Sequence, residues 1–148
     1  MENYSVLMSV YYKEQAENLR EAIDSILNQT VKTNEFIIVK DGPLTEKLDN
    51  TIKEYVEEYP GVFKIVTLKK NMGLAKALNK GIEQCSNEII ARMDSDDISM
   101  PDRMERQLEA MEANRADILS GTIVEFDESV DKPTAKRELP EKNEYYRF

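Results

Sequence analysis

Three carboxylates fall within four residues in the stretch Ile89-Ile90-Ala91-Arg92-Met93-Asp94-Ser95-Asp96-Asp97-Ile98-Ser99-Met100-Pro101. A short apolar run ends there, and a proline and a new helical pattern follow. Acids so crowded repel one another unless something positive sits between them, and a hard divalent cation with oxygen ligands is the usual answer. Mg²⁺ in particular is commonly held by one or two carboxylates together with substrate phosphates. The pattern therefore points to a metal-bridged diphosphate at the carboxyl end of a strand. Other readings of the same residues stay open. They could form a solvated turn, since the chain carries 29 Asp+Glu. An EF-hand loop would put Glu105 at its twelfth position but meets Ile98 where an oxygen ligand is needed and Ser99 where Gly is needed. A phosphatase-type Asp-x-Asp pair belongs on a first strand, and here three earlier strand candidates precede it.

Two more stretches carry chemistry. Asp41 stands between an apolar run and Gly42-Pro43. It is either a turn aspartate bonding its own backbone or a carboxylate that accepts from the ring N–H of a pyrimidine. Tyr11 could lie flat against the same base or pack as a rim aromatic on the first helix. In Asn71 to Gly81 the small residues Gly73, Ala75 and Ala77 let a helix start approach another surface closely. A helix N-terminus favours anions, and Lys76 could reach a phosphate or stay solvated.

The elements that must position these residues follow from periodicity. Strands are expected at Tyr4 to Val10, Glu35 to Val39, Phe63 to Leu68, Glu88 to Met93 and around Leu119 to Glu125. Amphipathic helices are expected at Ala16 to Asn28, Thr45 to Tyr59 and Leu74 to Gln84, the last with Ala75, Leu78 and Ile82 on one face. Met104, Leu108 and Met111 mark a fourth helix, with Pro101 suited to its first turn. The remainder, with Pro133 and Pro140, shows no clear period, and Glu144 to Phe148 reads like the start of another helix. Four strand–helix alternations imply parallel strands, right-handed crossovers and an α/β sheet covered on both faces. Ligands of such sheets bind outside the carboxyl ends of the strands. The Ser9 to Tyr12, Lys40 to Gly42 and Asp94 to Asp97 segments all fall at such ends.

Composition narrows the function classes. The net charge is -9, with 20 Lys+Arg, which argues against nucleic acid as a partner. The single cysteine, Cys85, forbids an internal disulfide and suits a small core residue. The absence of histidine excludes His acid–base catalysis and His-ligated metals within this chain. No signal peptide or membrane-length apolar run is visible, so a cytoplasmic chain is expected. No Gly-x-Gly-x-x-Gly follows the first strand, and no Walker motif occurs.

The set Ser5 to Tyr11, Ala22 to Thr30, Val39-Lys40-Asp41-Gly42, Asn71 to Asn79 and Met93 to Asp97 resembles the family 2 glycosyltransferases of the GT-A fold, especially an exopolysaccharide, amylovoran-biosynthesis branch. The match covers about Ser5 to Phe126. The resemblance implies a nucleotide-diphosphate-sugar donor, usually UDP-linked, and metal-dependent, inverting transfer to a glycan or lipid-linked acceptor. It implies that Tyr11 and Asp41 hold the uracil and that Asp94-Ser95-Asp96 is the Asp-x-Asp motif. Ser9, Gly73 and Lys76 complete the expected nucleotide side. Asp96, with Asp94, is expected to ligate Mn²⁺ or Mg²⁺. Asp97 extends the acid run. The chain departs from the broad pattern at Ser9, Tyr12, Lys40 and Pro43, and Leu78 stands where many members carry Arg.

Residues 1–126 are thus expected to be a nucleotide-sugar-binding half, and 127–148 a polar tail leading towards an acceptor-binding half. The general base is expected beyond residue 148, which makes a donor-binding fragment without transfer activity the alternative. A sugar-phosphate nucleotidyltransferase fits less well, because the loop after the first strand holds Tyr11, Tyr12 and Lys13 and no glycine. In a fuller protein the chain would sit at the inner membrane face, and an exposed sheet edge could pair two copies.

Overall fold

The computed structural model describes residues 2–127, 129 and 131–137. The Glu144 to Phe148 expectation and Pro140 lie outside them. The chain forms two compact units, Met1–Glu105 and Arg106–Phe148. The expected boundary after residue 126 falls inside the second of these.

The first unit alternates β1 (Tyr4–Val10), α1 (Ala16–Leu27), β2 (Glu35–Lys40), α2 (Glu46–Glu58), β3 (Phe63–Thr67), α3 (Leu74–Ile82) and β4 (Ile89–Arg92), then enters α4 (Arg103–Asn114). The strands make one parallel sheet in the order β3-β2-β1-β4. β1 and β2 are apolar and buried almost throughout, as strands covered on both faces must be. Because β4 lies on the opposite side of β1 from β2, the sheet reverses its winding at β1. A ligand crevice is expected at such a switch point, outside the carboxyl ends.

Helix α1 buries Leu19, Ala22, Ile23 and Ile26. Helix α2 starts at Thr45, whose side chain accepts from the Leu48 amide at 3.3 Å. Tyr55 of α2 donates to Asp24 Oδ1 of α1 at 2.5 Å and packs by Phe63, which stacks on Phe36 at 5.0 Å between ring centres. Helix α3 corrects one expectation. Its buried residues are Ala77 and Gly81, not Ala75, Leu78 and Ile82, and Leu74 and Ile82 are about half exposed. Size decides the face. A Cβ on Gly81 would lie 2.2 Å from Leu7 Cδ1 and 2.7 Å from Val39 Cγ2, so only the smallest residues let the helix lie this close to β1 and β2. Leu78 is left partly buried at the margin of the Leu7, Ile37, Val39 and Ala77 cluster.

A polar network closes the amino ends of the strands, opposite the expected crevice. The buried Glu35 carboxylate accepts from Ser5 Oγ at 2.5 Å, from the Ser86 amide and hydroxyl, each at 2.7 Å, and from Lys64 Nζ. Burial alone would raise this carboxyl. The Lys64 ammonium and the Ser5 and Ser86 donors outweigh it and hold the group at about 2.

In the second unit the fifth strand is shorter than expected and belongs to another sheet. β5 (Ile123–Phe126) pairs antiparallel with β6 (Pro133–Arg137), a strand the sequence pattern did not reveal. β6 is exposed along its length, so no burial alternation marks it.

Candidate functional site

Strand register brings the candidate residues to one end of the sheet. Val10 pairs with Lys40, Lys40 with Thr67, and Leu7 with Arg92. Tyr11, Asp41 and the acid run therefore leave adjacent strands β1, β2 and β4 at similar heights. With neighbouring strands ~4.8 Å apart, Asp41 and the acid run flank Tyr11 across a span of ~10 Å. Ser9 lies within β1, half-buried and paired with Val39.

The acid run is a turn closed by the Asp97 amide on the Asp94 carbonyl at 3.3 Å. Arg92 Nη2 reaches Asp94 Oδ1 at 3.3 Å. Asp96 is exposed and its carboxylate makes no hydrogen bond among the described residues. Ser95 points the other way. It is 6% exposed and donates its hydroxyl to Glu14 Oε2. Glu14 also accepts from the Gln15 amide at 2.8 Å, and its own amide donates to the Tyr11 carbonyl at 3.1 Å. One side chain thus joins the loop after β1 to the turn after β4, across the switch point.

The charges are uneven. The Asp97 carboxyl is pushed up, first by burial and then by the negative charges of Asp94 and Asp96, against the pull of Arg103 and Arg92. Burial in turn lowers the Arg103 guanidinium, which donates to Ser99 Oγ at 2.9 Å and to the Arg92 carbonyl at 3.1 Å. Among the described residues, no group of three or more His, Cys, Asp or Glu side chains is gathered to hold a metal ion. The donor set fits a divalent cation held by one or two carboxylates plus phosphate oxygens, not a cage made by protein alone.

Asp41 is tied to the loop before α3. It is 3% exposed, and its Oδ1 accepts from the Met72 amide at 2.7 Å and its Oδ2 from the Gly73 amide at 3.1 Å. Gly42 makes this approach feasible. Its φ is +88°, and a Cβ there would lie 2.6 Å from the Asn71 nitrogen. Gly73 also has positive φ, +90°, with open space where a Cβ would stand, and it precedes α3 as a cap without a side-chain bond. Lys76 is exposed on the first turn of α3. Tyr11 is 43% exposed and meets Tyr12 edge to face, with ring centres 5.8 Å apart. A cleft of about 490 Å³ opens beside Glu14, between the Tyr12 to Glu17 segment and Thr45 and Lys47. Tyr11, Asp41, Gly73 and the acid run do not line it.

Sequence reasoning missed the residues that hold the acid turn. Gln29, 1% exposed, donates Nε2 to the Ser25 and Met100 carbonyls at 2.9 and 2.7 Å and accepts from the Met104 amide at 2.9 Å. Ser25 Oγ accepts from the Ser99 amide at 3.0 Å. The end of α1 thus pins the segment that follows the acids. Gln29 stood in the resembling motif without a role, and Glu14 looks like any surface acid.

The model for Glycosyl transferase family 2 matches residues 5–148. The amylovoran biosynthesis glycosyltransferase AmsE of Erwinia amylovora is 42% identical over 146 residues, covering 98% of this chain and 54% of that protein. UDP-Gal:alpha-D-GlcNAc-diphosphoundecaprenol beta-1,3-galactosyltransferase of Escherichia coli is 37% identical, covering 98% and 52%. Among solved structures, S. aureus TarS 1-349 in complex with UDP has a TM-score of 0.64 at 20% identity, covering 76% of this chain and 33% of that one. The mannosyltransferase PcManGT from Pyrobaculum calidifontis in complex with GDP-Man and Mn2+ has a TM-score of 0.66 at 21% identity, covering 74% and 32%. The structural neighbours are GT-A glycosyltransferases and share the parallel sheet flanked by helices. The chain spans about half the length of the curated relatives it matches.

Proposed function

Because this chain belongs to glycosyl transferase family 2, we propose that it binds the nucleotide-diphosphate sugar, with UDP as the nucleotide, for metal-dependent inverting transfer in cell-surface polysaccharide synthesis. The observation that carries this reading is the Glu14–Ser95 bond. It sets the exposed Asp96 beside the Tyr11 loop at the point where the sheet reverses its winding.

In this reading Tyr11 lies against the base, with Ser9 beneath it, and Asp41 contributes to the uracil side. Gly73 leaves room for the donor's backbone, and Lys76 offers a positive charge to its phosphates. Asp96, with Asp94, would hold Mn²⁺ or Mg²⁺. A bound divalent cation supplies charge neutralisation for the diphosphate leaving group. Ser95, anchored on Glu14, keeps the two aspartates turned towards the donor. The acceptor is a glycan or a lipid-linked saccharide, and its general base is assigned to no residue of this chain. A second reading, compatible with the same comparisons, has this chain bind donor without transferring sugar.

We place the reaction on the cytoplasmic side, peripheral to the membrane. Among the described residues no helix is long and apolar enough to cross one.

Thermal-shift measurements with UDP, GDP and ADP, with and without Mn²⁺, test the proposal, since a ligand of the folded state alone raises the midpoint. UDP should raise it, and more so with Mn²⁺. Failure of every nucleotide to move it, or an equal shift by UDP in EDTA, would overturn the metal–diphosphate reading. A transfer assay beside calorimetry with UDP separates donor binding from turnover.

A further inference from the structure

We infer that Arg103 is a positioning residue for the cation side of the donor site: its guanidinium holds the Asp94–Asp97 turn in shape before any cation arrives. This rests on the donor-site reading above. The guanidinium spans the turn. Nη2 donates to the Arg92 carbonyl, at the end of β4, at 3.1 Å, and Nη1 donates to Ser99 Oγ, beyond the acids, at 2.9 Å. Nη1 also lies 3.6 Å from Met93 Sδ, and Ser99 Oγ donates to that sulfur at 3.0 Å. The two flanks of the acid run therefore meet at Arg103, and both are buried, Met93 at 4% and Ser99 at 7% exposed. Each flank is fastened further. The Met93 amide donates to the Leu7 carbonyl of β1 and the Ser99 amide to Ser25 Oγ of α1, both at 3.0 Å. The turn's own closure is weaker, 3.3 Å from the Asp97 amide to the Asp94 carbonyl. Three carboxylates in four residues push such a turn open, and the Arg103 charge pulls on Asp97 against that repulsion. A permanent cation beside a cation site lowers the site's affinity by Coulomb repulsion. Holding the carboxylates in place raises it, so the two effects of Arg103 have opposite signs.

Two variants separate those signs. Arg103→Lys keeps the charge and loses the fork, because one ammonium cannot take the two directions that a planar guanidinium spans. Arg103→Gln removes the charge as well. If Arg103 positions the turn, both variants should bind Mn²⁺ in the presence of UDP about tenfold more weakly or worse. The affinity for UDP in EDTA should stay at the parent's value, since the loss falls on the cation side alone. In the metal-free protein, hydrogen exchange at the Asp97 and Ser99 amides should accelerate in Arg103→Lys. Calorimetry of Mn²⁺ into UDP-loaded protein, of UDP in EDTA, and amide exchange followed by NMR read these outcomes. Where Arg103→Gln does not fold, Arg103→Lys carries the test. The inference is overturned if Arg103→Lys matches the parent in Mn²⁺ affinity and amide protection. It is overturned equally if Arg103→Gln binds Mn²⁺ more tightly than the parent, which is the result for a charge that only repels. A fall in UDP affinity in EDTA as large as the fall with Mn²⁺ also overturns it, by showing a general loosening of the fold. A parent protein whose UDP binding does not respond to Mn²⁺ overturns the donor-site reading itself, and does so before any variant is made.

Discussion

Glu35 offers the sharpest test of how the sheet is held. Its carboxylate lies at the amino ends of three strands, 6% exposed, with Lys64, Ser5 and Ser86 as donors. Burial works against the charge and the donors win, so the folded group sits at about 2 against an ordinary 4.5. A carboxyl lowered by folding stabilises the fold in its ionised form. Its contribution is complete above pH 4.5 and is lost as pH falls from there towards 2. With each tenfold change in proton affinity equal to about 1.4 kcal/mol, the whole contribution is at most about 3 kcal/mol, of which about 2 should be gone by pH 3. The chain has 29 acidic residues, so its acid unfolding as a whole cannot be read as one group. The difference between the parent and Glu35→Gln can. Urea titrations at intervals from pH 7 to pH 3 should show the variant less stable at neutrality by about 2–4 kcal/mol. The gap should narrow by about 2 kcal/mol below pH 4.5. Parallel curves across that range would refute the ion-pair account of Glu35.

Other perturbations follow from the same geometry. Gly81→Ala should lower the melting temperature by a few degrees, because overpacking against Leu7 and Val39 costs about 1–3 kcal/mol while the gain in helix propensity returns about 1; a rise in melting temperature would contradict the close packing of α3. Gln29→Ala leaves the Ser25 carbonyl and the Met104 amide without their side-chain partner, while the Met100 carbonyl keeps the Arg103 amide, and should cost about 2–4 kcal/mol in urea unfolding. A loss under 1 kcal/mol would show that the segment after the acids does not depend on it. Glu14→Ala should weaken Mn²⁺-dependent UDP binding by about tenfold, with little change in melting temperature, as read by calorimetry. Asp96→Asn should abolish the Mn²⁺-dependent part of UDP binding, and unchanged binding would move the metal role to another acid.

Much of the architecture was legible because burial writes itself into pattern. β1 and β2 are apolar runs buried on both faces, and the alternation with helices announced a parallel sheet. The face of α3 was not legible, because hydrophobicity favours Leu78 and Ile82 where contact distance demands Ala77 and Gly81. β6 escaped notice because an exposed hairpin strand has no buried side to alternate. That Tyr11, Asp41 and Asp94 to Asp96 follow the carboxyl ends of their strands could be read in advance from the pattern. What holds them could not. Glu14 meets Ser95 across 81 residues and Gln29 meets Met104 across 75, and long-range hydrogen bonds leave no local signature.

Two seams hold the loops at the strand ends. Glu14 and Ser95 tie one pair of loops, Asp41 and the Met72–Gly73 amides tie the other, and no side chain belongs to both. Between them runs β1, contributing backbone alone through the Val10 carbonyl. Losses at unconnected sites sum, so the double variant Glu14→Ala, Asp41→Asn should weaken UDP by the product of the single factors. On the donor reading proposed above, demand for a cation and grip on the donor are separately inheritable traits in this scaffold: a lineage could shed its metal by drift at one seam while the other kept its hold on the nucleotide.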